Sequence, residues 1–544
     1  MDLRSLAAFR IALACALVYE LSDRVFSTNT LEGFYSEQGI WPARLMQEHS
    51  TPLHVWLSPH SWYDGSLTAA LLVMQLGAAV CLLLGWQTRL AALLSWLLYN
   101  SLTLRNVWLS YIADRYFHIL LLYAALLPCG KHFSLDRALR KGRQDDDPGR
   151  KRSGDDDQNT GLTVASLLFK MQILWIYLDA GWGKLNDPLH GWSFGATPLP
   201  ALDTYTRHTH FAIWLYRALG PLGLRLMTPT VVAAELLAPA AVLIASAAAA
   251  PLWAQVCLIC VLPLMHLGIS LALVNTVSLS IVAAVAWLPF VPGSAWGSVR
   301  SSSPQMGGAA KATTLTPGAF EGRSVWPSLT MLAFMALCAH HELRVGSACT
   351  QAGLSTVSSV LLNNRWNVFV GADSYVTWEI APAKLADGRV VDLWTRGGAV
   401  SWEVPSLSLM NHSSGTTAFA RRSGRWRSFP YLSVAEGAEG TALLDMPGAV
   451  NAGEDPARQE SCLAESRAAA RPLDGQFHHR VWTYLCTEWN TRQPPSARVV
   501  RYSFFMLQAD IEPGLSYSAV RKRLIHSHEC SQPTPGEVVF ENGK

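Results

Sequence analysis

The chain has 544 residues, half of them apolar and only 15% charged, with a mean hydropathy of +0.18. A soluble domain carries about 25% charge, so the deficit points to a membrane protein. A net charge of +3, with basic residues scattered and not interleaved with aromatics, leaves no footprint for a nucleic-acid partner. The 21 tryptophans fit the same class, because an indole ring favours the membrane–water boundary.

Runs approaching the ~20 apolar residues that cross a bilayer core recur over the first 345 residues. In chain order they are Leu6–Leu21, Leu67–Trp86, Leu90–Trp108, Tyr111–Leu127, Thr163–Ala180, Val231–Ala250, Leu252–Val274, Val277–Pro292 and Trp326–Ala339. Arg10 inside the first run, with Glu20 and Asp23 at its end, reads as a membrane helix and not a cleaved leader. Between Lys131 and Gly161 lie eight Lys and Arg residues, which place that loop and the N-terminus in the cytoplasm. Residues 130–162, with acidic runs Asp145–Asp147 and Asp155–Asp157 around Pro148 and Gly149, read as a solvated linker. The Ser/Gly-rich stretch 293–325 falls on the same side, with Arg300, Lys311 and Arg323. About nine crossings then put everything after Glu342 on the lumenal or extracellular face.

The tail, residues 346–544, reads as β-rich. Val376–Ile380, Val390–Trp394 and Arg498–Phe505 are rich in β-branched and aromatic residues. The first two are expected to join through Ala386-Asp387-Gly388-Arg389, whose Asp-Gly is a hairpin signal. Residues 445–474 turn polar and Ala/Glu/Arg-rich, as an insertion or loop would. Cys349, Cys462, Cys486 and Cys530 form an even set suited to an oxidising compartment, and the sequon Asn411-His412-Ser413 lies there too. The expected architecture is thus an α-helical polytopic membrane domain, 1–345, followed by a β-rich soluble domain.

Ionisable residues inside membrane segments are costly, so each raises a functional question. Here they are Arg10, Glu20, Arg105, Asp114, Arg115, His118, Lys170, Asp179, Lys184, Glu235 and His266. The simplest reading is that they pair with one another, with Glu235 partnering a buried arginine. Lys184 stands apart, where an apolar helix is expected to break into the turn Gly181-Trp-Gly-Lys184-Leu-Asn-Asp-Pro. An ammonium in an apolar pocket loses its hydration, which favours the neutral amine, a base. The plain alternative is a lysine snorkelling from a helix end.

Several motifs carry a resemblance. Phe34-Tyr-Ser-Glu-Gln-Gly-Ile-Trp-Pro42 follows a first helix ending in Glu20-Leu-Ser-Asp-Arg24. Leu104-Arg-Asn106, Asp114-Arg-Tyr-Phe-His118, Ala180-Gly-x-x-Lys184-Leu and Leu264-Met-His266-Leu-Gly-Ile-Ser270 come next, and the last runs on to Phe290. Arg365–Phe369, Leu385–Leu393 and Tyr484–Asn490 continue it into the tail. The set resembles the HTTM family, the membrane-domain family that includes the vitamin K-dependent γ-glutamyl carboxylases. That resemblance implies vitamin K hydroquinone or a related quinol as cofactor and a glutamate-containing protein as substrate. It implies Lys184 as the base that deprotonates the quinol, with His266 assisting and His118 matching more loosely. It also implies an endoplasmic reticulum membrane in a eukaryote. The chain departs from the animal carboxylases in being shorter, without an identifiable region for binding a substrate propeptide.

Cys257-Leu-Ile-Cys260 has C-x-x-C spacing but lies in an apolar run, where packing explains it better than redox or metal chemistry. His340-His341-Glu342 and His478-His479 read as interfacial or surface residues, and no metal site is predicted. Two rival functions stand beside carboxylation. One is an HTTM protein without that activity, binding a partner or ligand through its tail. The other is a transporter, which the lack of repeat symmetry disfavours.

Overall fold

The computed structural model describes residues 1–27, 30–50, 52–62, 65–106, 109–145, 164–186, 191–192, 199–273, 276–297, 374–405 and 475–530, with single positions such as 366, 425, 426 and 429 between them. Nine helices are named here: α1 Leu3–Ser22, α2 Gly65–Leu84, α3 Thr88–Arg105, α4 Ile112–Leu126, α5 Leu135–Asp145, α6 Val164–Leu185, α7 His210–Ala247, α8 Leu252–Ala272 and α9 Val277–Val285. Short helical turns between Thr30 and Ser61 link α1 to α2. Among the described residues five stretches, Leu3–Val25, Leu67–Leu84, Val164–Leu185, His210–Ala247 and Leu252–Ala272, are long and apolar enough to cross a membrane. Leu76, Val80, Leu264 and Leu267 stand exposed on α2 and α8, as side chains facing lipid do.

The expected runs at Leu90–Trp108, Tyr111–Leu127 and Val277–Pro292 are helical as α3, α4 and α9, but fall outside those five. Trp326–Ala339 lies largely outside the described residues. Two boundaries move. The expected run Val231–Ala250 belongs to a 38-residue helix that starts at His210 and is interrupted at Gly220, where φ is 65° and ψ is 176°. A continuous helix of that length would span about 57 Å, far more than a bilayer core of about 30 Å, so the break separates a lead-in from the long segment. α6 continues through Leu185, so Lys184 sits in its last helical turn and not in a loop. The first part of the charged stretch 130–162 is also structured. The carboxylate of Asp136 on α5 accepts the N–H groups of Gln87 (2.8 Å) and Thr88 (2.9 Å), capping α3. Its remainder, 146–163, lies outside the described residues, as do 298–325, 445–474, Asn411, Cys349 and Cys462.

The tail contains an antiparallel sheet of β1 Tyr375–Ile380, β2 Pro382–Leu385, β3 Val390–Asp392, β4 Val499–Glu512, β5 Ser516–Tyr517 and β6 Arg521–Glu529, with helix α10, Gly475–Asn490, beside it. β4 is central. Its first residues pair with β2 and its later ones with β1, Tyr375 facing Asp510, while β6 lies along the other side. The Asp387-Gly388 turn joins β2 to β3, not β1 to β3 as the sequence suggests, and Gly388 supplies the φ of +86° that this turn needs. A disulfide between Cys486 on α10 and Cys530 closes the sheet against the helix.

One apolar core runs from the helices into the tail. Phe34 packs on Trp426 (ring centroids 4.6 Å apart), Tyr116 on Trp366 (4.7 Å) and Trp41 on Phe477 (5.3 Å). The tail also brings charge inward. Arg425 donates to Asp114 Oδ1 and Oδ2 at 2.9 Å each and to Glu20, and Arg24 bonds the same two carboxylates. Tyr99 adds its hydroxyl to Asp114 at 2.5 Å, and the Tyr111 N–H adds another at 2.9 Å. Two guanidinium groups thus face two carboxylates, all buried.

Candidate active site

Lys184 and Glu235 form a buried ion pair between α6 and α7. Lys184 Nζ donates to both carboxylate oxygens of Glu235, at 2.9 and 2.8 Å, and lies 5.4 Å from the Trp192 ring centre. Glu235 is therefore the partner of the lysine and not of an arginine. Close helix approach makes the pairing possible. A Cβ on Gly181 would stand 3.0 Å from Leu236 and 3.1 Å from the Glu235 Cβ, so a glycine three residues before Lys184 lets α7 draw near.

The pair borders a cavity of about 30 Å³, also lined by Tyr116, Tyr177, Met265, His266, Ile269 and Trp366. That volume holds one or two waters. Tyr177 lies two turns before Lys184 on α6, and so on the same face. Its hydroxyl is 3.0 Å from His266 Nε2 and accepts the Trp287 indole N–H at 3.1 Å. His266 Nδ1 is buried without a hydrogen-bond partner among the described residues. Asp179 accepts the backbone N–H of Trp366 at 3.1 Å, which fixes the tail's contribution to the cavity wall.

Of the three residues singled out by motif, Lys184 and His266 meet at this cavity and His118 does not. His118 follows Tyr116 by two residues on α4, a rotation of about 200° that turns it away. It packs edge-on against Trp96 instead, with ring centroids 5.4 Å apart. Tyr177, Tyr116, Trp287 and Trp366 were not anticipated. The i, i+7 spacing of Tyr177 and Lys184 was the one available clue. Cys257 and Cys260 are unoxidised on α8, and Cys257 is exposed. His478 and His479 lie on α10, where His479 stacks near His528 (5.7 Å), itself beside His526 (5.9 Å). Among the described residues, no group of three or more His, Cys, Asp or Glu side chains is placed to hold a metal.

Compared with protein-family models, curated proteins and solved structures, the chain matches none of them.

Proposed function

We propose that the chain is a multi-pass membrane protein of the HTTM type that carries out quinol-driven carboxylation of protein glutamate. Its N-terminus would face the cytoplasm and its tail the lumen or exterior. The Cys486–Cys530 bridge supports an oxidising compartment for the tail. The observation that carries the reaction is the Lys184–Glu235 pair, set against a small cavity that also meets an imidazole nitrogen without a partner among the described residues.

The donor set suits a quinol oxygen. With Tyr177 donating to Nε2, the imidazole carries its hydrogen on Nδ1, where it points to no protein acceptor. Lys184 donates to both oxygens of Glu235, which holds its ammonium at the cavity wall. Bound reduced vitamin K, or a related quinol, would supply with oxygen the strong base that the glutamate γ-carbon demands. The cavity's volume would suit only the oxygen end of such a molecule, and admitting its ring would need Met265 and Ile269 of α8, which line the cavity, to move. α8 is the least covered of the long apolar helices, with 17% of its span buried, which leaves these side chains room.

A second reading has its own support. An ammonium held by both oxygens of one carboxylate is also what a purely structural pair looks like. The tail presents an open groove of about 190 Å³ lined by Leu393, Arg396, Glu488, Trp489 and Arg492, suited to a partner or ligand. In that reading the protein is an HTTM protein without carboxylase activity.

Incorporation of labelled carbon dioxide into a glutamate-containing peptide separates the two. Purified protein is assayed with and without reduced vitamin K, alongside Lys184→Ala. Quinol-dependent incorporation, lost in the variant, is expected. Folded protein that labels none of several peptides leaves the binding reading in its place.

A further inference from the structure

A second buried group lies away from Lys184. Arg105 ends α3 with its side chain fully buried, and none of Nε, Nη1 and Nη2 has a hydrogen-bond partner among the described residues. Its nearest counter-charge is Glu37 Oε1 at 4.0 Å, beyond bonding distance, on a residue whose side chain is 33% exposed. That oxygen already accepts the Ala43 N–H at 2.9 Å. Burying a guanidinium with five donors and no acceptor is among the costlier arrangements available to a protein.

His60 stands beside it with the same deficit. Ser101, one turn before Arg105 on α3, holds His60 through both its backbone N–H (3.1 Å) and its Nδ1 (2.6 Å). The imidazole is buried within reach of the Arg105 charge, and its Nε2 has no partner among the described residues. Burial, then the charges of Arg105 and Arg24, push His60 down to about 3, so the ring is neutral. In the tautomer in which the Ser101 hydroxyl donates to Nδ1, the ring hydrogen stands on Nε2, a further donor. By contrast Arg24, on the other side, is saturated by Glu20, Asp114 and Tyr99.

We propose that Arg105 and His60 form a binding site for a small planar oxyanion, a carboxylate or bicarbonate. Two coplanar oxygens match the guanidinium fork, and the imidazole Nε2–H adds a donor for one of them. The partly exposed Glu37 carboxylate, 4.0 Å from Arg105, opposes the anion from one side. The site does not depend on the role given to Lys184. It would take either a glutamate side chain presented by a peptide or the free one-carbon anion.

The test is thermal unfolding and titration calorimetry of the full chain in detergent. Sodium bicarbonate and N-acetyl-glutamate-methylamide serve as separate probes, with sodium chloride at equal ionic strength as control. A saturable upward shift with at least one probe, beyond chloride, is expected. Arg105→Met should weaken that probe's binding by about 10- to 100-fold, as loss of a charge-assisted contact does. Competition between the probes tells which source the site prefers. Arg105→Lys, which keeps the charge but not the fork, and His60→Ala should each weaken binding as well, and they decide the matter if Arg105→Met does not fold. No shift beyond chloride with either probe, or a shift unchanged in these variants, would mean that water completes the site and would overturn the proposal.

Discussion

Two buried charge clusters sit within the same helical region and differ in one respect. Around Asp114, two carboxylates meet two guanidinium groups, with tyrosine and backbone donors filling the remaining positions. Around Lys184, a single pair borders a cavity and a neighbouring imidazole keeps one nitrogen unused. A saturated cluster has no bonding capacity left for a ligand, so its worth is architectural. A cluster with capacity left over is where a substrate oxygen or a proton has somewhere to go.

Substitution should pull the two apart. Asp114→Asn leaves two buried guanidinium groups facing one carboxylate. It should cost about 3–5 kcal/mol, seen as a large fall in thermal midpoint in detergent. At the other cluster, Lys184→Met alone strands the Glu235 carboxylate and should destabilise by a similar amount. The double variant Lys184→Met/Glu235→Leu should recover most of that loss while abolishing any quinol-dependent labelling. If the double variant stayed as unstable as the single, the pair would be architectural like its neighbour.

Smaller changes sharpen the contrast. Gly181→Ala presses a methyl against Leu236 and the Glu235 Cβ and should cost about 1–3 kcal/mol by parting α6 and α7. It should reduce labelling more than stability, whereas the same loss in both would detach the reaction from the pair's geometry. The smallest effect concerns the tail. Burial, with His526 and His479 nearby, pushes His528 down to about 4. A histidine lowered in the folded state binds its proton more readily when unfolded. Its contribution is therefore complete above about pH 6.5 and is lost as pH falls toward 4. His528→Gln should flatten that part of the tail's stability profile and leave the helical region's response unchanged.

Much of the helical plan was legible because twenty-odd apolar residues admit few alternatives to a membrane-length helix. The placement of Lys184 beside Glu235 was not, since periodicity says which face a residue occupies but not which helix covers that face. Glu235 could equally have met an arginine until Gly181 brought α7 close. Arg425 escaped notice for a related reason. It lies 311 residues from Asp114 in a stretch without apolar rhythm, and only the folded chain joins them. The strand assignments survived while their pairing did not, because Asp387-Gly388 announces a turn without naming its partners. The tail helix α10 went unread, its aromatic and histidine content resembling a strand as much as a helix.

The tie between Arg425 and Asp114 has a consequence for biosynthesis. At about 5–20 residues per second, some 15–60 s pass between the synthesis of Asp114 and that of Arg425. Through that interval Glu20 and Asp114 have Arg24 alone to neutralise them. The nascent helices must therefore wait, half-compensated in charge, for a residue 311 positions further along the chain. A chain released before Arg425 is made would keep that one cluster a positive charge short, with two carboxylates facing a single guanidinium inside the helical region.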